Sequence, residues 1–224
     1  MGWSKNLLVL ALAGSLLGAC ATTQLARPLG RGNTRVALSL GGPLVAFGGA
    51  PVPLPVSVLG IAHGLSDAVD VQADLHPTAA AFGIAGLDLG VAWHPLSAHR
   101  SALTLGAALY GFGNGADATV LADLWVAAGL RPVRWLWLGA GLHNGLRLLT
   151  SSSELREQMP WAPTPFVQAA FRPGMGRVEL EVELRWYALA SCGSCAAPDY
   201  YSPGGPGALG VLLGLTYSFA GGHR

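Results

Sequence analysis

Charge is scarce in this chain. Only 11 % of its 224 residues are Asp, Glu, Lys or Arg, against about 25 % in an ordinary soluble domain, while 51 % are hydrophobic and the mean hydropathy is +0.44. Lysine is almost missing. Lys5 is the only one, so the other twelve basic residues are arginines, set against twelve acids. No basic run and no aromatic–basic stripe occurs, which argues against a nucleic-acid partner. A long uninterrupted apolar run is also lacking beyond the first twenty residues. The uncharged stretch 41–62 is broken by Pro43, Pro51, Pro53 and Pro55, and a proline inside a helix costs about 3 kcal/mol. A membrane-spanning helix, which needs about 20 apolar residues, is therefore not expected. A composition this apolar leaves either a deeply buried soluble fold or a membrane barrel, which spreads its apolar residues along alternating strands.

What is present begins with an address. Residues 1–5 make a short positive start, and residues 7–17 form an apolar core of signal-peptide length. Leu17-Gly18-Ala19-Cys20 follows. This resembles the lipobox of bacterial lipoproteins, which implies cleavage before Cys20 and acylation of that cysteine, with palmitate-type chains as the only attached group. Ala21, rather than Asp, implies passage to the outer membrane in such families. Residues 1–19 are then the signal, and 20–33 a lipidated N-terminus and short tether.

From residue 34 the dominant period is two, the signature of strands. Val178, Leu180, Val182, Leu184 and Trp186 share one face, and Glu179, Glu181, Glu183 and Arg185 the other. Similar alternation runs through 69–75, 87–93, 136–146 and 213–219. Ten strands are expected, at 34–42, 54–63, 67–76, 80–94, 101–112, 118–131, 134–148, 164–172, 177–189 and 207–219. Most reach or exceed the ~9–11 residues that a tilted strand needs to cross a bilayer. The fold class is all-β: an antiparallel up-and-down transmembrane barrel of about ten strands (eight to twelve), spanning 34–219, with 220–224 as a tail.

Connection lengths give a second test. Even-numbered connections are short (64–66, 95–100, 132–133, 173–176), and the three longest are odd-numbered (43–53, 149–163, 190–206). Membrane barrels place short turns in the periplasm and long loops outside, so both termini are expected on the periplasmic side, where a tether from Cys20 fits. Leu213, Leu215, Tyr217 and Phe219 resemble the closing strand of outer-membrane barrels, although Ala220 to Arg224 extend beyond that Phe.

If the apolar face meets lipid, Arg35, Asp70, Asp74, Asp88, Asp123, His143, Arg147, Glu179, Glu181, Glu183 and Arg185 line the lumen. They read either as a carboxylate–arginine network plugging a narrow barrel or as an acid-lined passage. Trp93, Trp135 and Trp137 near one set of strand ends, and Tyr110, Trp186 and Tyr187 near the other, suit two aromatic girdles, although Trp135, Trp137 and Tyr187 lie on faces assigned to the lumen. Alternation does not say which face is inside. A soluble lipid-anchored barrel with Leu and Val in its core and an apolar ligand stays open.

Candidate chemistry is thin. Cys192-Gly193-Ser194-Cys195 has neither the βαβ context of a redox motif nor a second pair for zinc, and an oxidising compartment favours a loop disulfide between Cys192 and Cys195. His63, His76, His94, His99 and His143 are scattered and read as strand-end or lumen residues. No nucleophile–base–acid set or acid pair singles out an enzyme, so no catalytic or metal residue is assigned. Ser151 and Glu154 have capping-box spacing for a short loop helix, and with Met159, Trp161 and Tyr200-Tyr201 they make the outer loops a surface for an envelope or extracellular protein. The expectation is a structural or interaction component of the outer membrane in contact with its lipids, with a small acid-lumen pore or transporter and a ligand-binding periplasmic barrel as alternatives.

Overall fold

The computed structural model describes residues 26–47, 50–114, 117–151, 161–187 and 208–219. Its strands are β1 (Thr34–Phe47), β2 (Ala50–Pro53), β3 (Val56–Gly64), β4 (Val69–Leu75), β5 (Ala85–Ser97), β6 (Ser101–Gly113), β7 (Ala118–Val133), β8 (Leu136–Thr150), β9 (Trp161–Phe171), β10 (Val178–Tyr187) and β11 (Ala208–Phe219). A short helix, α1 (Pro77–Ala81), joins β4 to β5. Each wall strand pairs antiparallel with its sequence neighbour. The sheet closes where β1 meets β11, from Thr34 opposite Phe219 to Pro43 opposite Gly210. The result is an antiparallel ten-strand barrel of β1 and β3–β11, with β2 a ribbon on the far end of β1.

Closure leaves no edge, so the backbone of the wall is satisfied within the sheet. The faces then differ sharply. On β10, Leu180, Val182 and Leu184 are 43–47 % exposed, while Glu179, Glu181, Glu183 and Arg185 are 1–3 % exposed. The same inversion runs through β1, β5, β7 and β11, where Leu38, Leu89, Leu124 and Leu213 point out. A soluble barrel puts the apolar face in its core; here the polar face is inside. So large an apolar exterior is foreign to a water-soluble monomer and matches the lipid-facing band of a membrane barrel.

Some boundaries differ from the sequence reading for local reasons. α1 stands where a bare turn and the start of a strand were expected, because Pro77 occupies its first turn and three alanines follow. Gly83, at φ +78°, then lets the chain leave the helix. β1 runs past residue 42, where Leu44 to Phe47 pair with β2. Gly41, at φ +138°, marks this departure: a Cβ there would lie 2.2 Å from the Val211 carbonyl across the closing seam.

One aromatic girdle is clear; at the opposite end, among the described residues, Phe82 is exposed and Trp186 is half-buried in phase with the outward-facing Leu184. Trp93, Trp135, Phe171, Tyr217 and Phe219 are exposed near the end that carries both barrel termini. Trp135 stacks edge-on against Phe171, with centroids 5.3 Å apart. Trp135 was expected to face the lumen; it sits instead in the β7–β8 turn, beside a register shift between Leu130 and Val133, and faces outward. Trp137, Tyr110 and Tyr187 are buried inside the barrel. Their phase along the strand puts them with the polar face, so they belong to no girdle.

Candidate functional site

The lumen holds the chemistry, and part of its filling comes from outside the wall. Residues 26–33, expected as part of a tether, enter the barrel. Ala26 is fully buried against Ala92, Trp125, Ala127 and Phe166. Arg27 pairs with Glu179 and stands over the Trp137 ring. The Leu29 N–H donates to Asp70 Oδ2 at 2.9 Å. Gly30 and Gly32, at φ +82° and +75°, turn the chain back so that Gly32 N donates to the Gly64 carbonyl at 2.8 Å. Only glycine reaches such φ values without strain.

The wall is carved to accept this segment. A Cβ on Gly64 would lie 2.0 Å from the Gly30 carbonyl oxygen, and one on Gly129 would lie 2.8 Å from that of Ala26. Two wall glycines thus stand where two carbonyls of the segment touch. Arg27→Ala is expected to leave the barrel assembled but to speed hydrogen exchange across residues 26–33, read by mass spectrometry; unchanged protection would show that Arg27 does not hold the segment.

Three histidines are paired with three aspartates inside the wall. His76 Nε2 lies 2.6 Å from Asp88 Oδ2. His94 Nε2 lies 3.0 Å from Asp70 Oδ2, with its Nδ1 2.8 Å from Thr104 Oγ1. His143 Nδ1 lies 2.5 Å from Asp123 Oδ2, which also accepts from Tyr110 Oη at 3.1 Å. The His143 ring lies between Trp125 and Phe166, at 6.0 and 4.9 Å. Sequence reading named these histidines and, as lumen residues, Asp70, Asp88 and Asp123, but not which pairs with which. The pairs span adjacent strands or a strand and the loop beyond it, so only the register reveals them.

Thr104, His94 and Asp70 follow the order hydroxyl, imidazole, carboxylate of an acyl-transfer relay. Thr104, however, is fully buried, and Asp70 is capped by Leu29. The three side chains thereby brace adjacent strands. Among the described residues no three His, Cys, Asp or Glu converge on a metal position.

The acidic ladder of β10 faces the same space. Arg185 Nε donates to Glu183 Oε1 at 2.6 Å, and its guanidinium lies 5.9 Å from the rings of Phe166 and Tyr187. Glu179 takes Arg27 and, at 3.4 Å, Arg172. Glu181 has Arg35 as its main opposite charge, yet neither of its oxygens accepts a hydrogen bond among the described residues. Asp74 is buried directly opposite Asp88, and Arg147 is half-buried near the end of β8, opposite Leu121. Cys20, Cys192, Cys195, Glu154, Met159 and the Tyr200-Tyr201 pair lie outside the described residues, as do most of the two longest loops.

No protein-family model and no curated protein sequence matches the chain. Solved structures do. A KdgM porin in complex with disordered oligogalacturonate is 9 % identical, with 84 % of this chain and 98 % of that chain covered and a TM-score of 0.46. An outer membrane channel from Pseudomonas putida F1 is 11 % identical over 87 % and 98 % of the two chains, with a TM-score of 0.47. The outer membrane protease OmpT from Escherichia coli is 14 % identical over 84 % and 97 %, with a TM-score of 0.41. The functional argument rests on the chain's own residues.

Proposed function

We propose that this chain is an outer-membrane β-barrel lipoprotein that serves the cell envelope as a structural and interaction component. It is anchored additionally through Cys20, has both termini in the periplasm, and meets its partner through the long loops at the opposite end. The observation that carries this reading is the lumen. Among the described residues it is filled by residues 26–33, by Trp125, Trp137 and Phe166, and by buried ion pairs, which supports a barrel whose work lies at its rims.

The apolar exterior supplies the membrane part of the argument. Lipid-facing leucines and valines with charges turned inward are stable in hydrocarbon and unfavourable in water. The terminal end, with its exposed aromatics, suits the interfacial belt that Trp and Tyr favour.

Two measurements test the reading. The protein is expected to resist buffer extraction after its lipid is removed, to need detergent, and to run faster on SDS gels unheated than boiled. Release into buffer would sink it. Protease added to intact cells is expected to cut within 152–160 and to leave the turn at 98–100 intact; the opposite pattern would reverse the orientation.

A further inference from the structure

We infer that residues 26–29 are a removable plug, and that withdrawing them opens a narrow passage selective for small cations. The inference rests on the membrane-barrel reading above and adds an activity to it.

The segment is built to seat and to leave. It belongs to no strand. Two of its described anchors are polar, the Arg27–Glu179 ion pair and the Leu29 N–H to Asp70 bond, and its one buried apolar side chain is the small Ala26. The Ala26 carbonyl rests on Gly129, so that contact is backbone against backbone, and the Gly30 carbonyl at the hinge rests on Gly64. It hangs from β1 through Gly30 and Gly32, two left-handed glycines whose freedom suits a swivel. Around Ala26 stand Ala92 and Ala127, which are small, beside Trp125 and Phe166, so the passage left when it moves is narrow.

Withdrawal also changes the charge of the lumen. Seven carboxylates are buried there against two arginines, Arg35 and Arg185. The plug contributes a further cation, Arg27, and removing it leaves Glu179 with Arg172, 3.4 Å away, as its described partner. Among the described residues, Glu181 already lacks hydrogen-bond donors on both oxygens. A low-dielectric channel with excess negative charge concentrates cations and repels anions. Ten strands enclose little more than side chains, so the solutes are small.

Planar bilayers with a KCl gradient provide the test. The full-length protein is expected to insert silently. Deleting residues 26–29, or reversing the charge with Arg27→Glu, is expected to give discrete steps whose reversal potential reports cation preference. Glu181→Gln in the deleted background should lower the cation-to-anion permeability ratio severalfold. Charge reversal keeps the test open if the deletion impairs assembly. Steps in the unaltered protein, or silence in variants that keep their heat-modifiable migration, would overturn the plug. Steps without cation preference would overturn the acidic filter. If the unaltered protein fails to enter the bilayer at all, the membrane reading falls first and takes this inference with it.

Discussion

Replacing Arg185 by leucine is expected to destabilise the folded barrel by about 3–5 kcal/mol, the range seen when one partner of a buried ion pair is removed. Arg185 and Glu183 are each 1 % exposed, and the guanidinium is the described partner of the Glu183 carboxylate. Glu181 and Glu179 stand two and four residues further along the same inner face. Without Arg185, Glu183 keeps its burial and loses its compensation, and the local excess of negative charge rises. The guanidinium also loses its contacts over Phe166 and Tyr187. Urea unfolding in lipid vesicles measures the change. Converting both members, with Glu183→Leu and Arg185→Leu together, should recover most of the loss, because a desolvated pair contributes little net stability against an apolar one. A double variant as damaged as the single one would show that Arg185 acts through packing alone.

The second large effect concerns the outer face. Leu213 lies near the middle of β11, opposite Val182, and both point away from the lumen. Leu213→Arg is expected to cost about 2–4 kcal/mol in vesicles, the figure for arginine at the midplane on a barrel's lipid face. A surface substitution in water usually stays within about 0.5 kcal/mol. The magnitude itself therefore says what covers this face, and a change below about 0.5 kcal/mol would mean that water does.

The strands were legible because their period is two and their turns carry Gly and Pro. All ten wall strands fall close to the expected spans, and β10, with four acids and bases alternating against Leu and Val, is the clearest. Which face points inward was not legible, because alternation is symmetric between the two. Only the closed sheet, with Glu181 buried and Val182 exposed, breaks the tie. The pairing of the histidines with the aspartates was hidden for another reason. His94 and Asp70 are 24 residues apart and His143 and Asp123 are 20, separations that mean nothing until β4, β5, β7 and β8 are in register. Trp135 was misassigned because the β7–β8 turn resets the alternation. Residues 26–33 carry no period at all. Pro28, Gly30 and Gly32 mark irregular chain, and nothing in such a stretch distinguishes a tether in water from a segment inside a barrel.

The seated segment has a kinetic consequence. Residues 26–29 are joined to the first wall strand by only four residues, 30–33. On so short a leash, return to the seat is a unimolecular step, and the segment's effective concentration there is of millimolar order however few copies of the protein a membrane holds. A free peptide of the same sequence would need to reach that concentration to compete for the seat. A trigger that opens the barrel must therefore act on the seat itself, at Glu179, Asp70 or the two glycines, because no rival segment at ordinary abundance can outcompete one that is already attached.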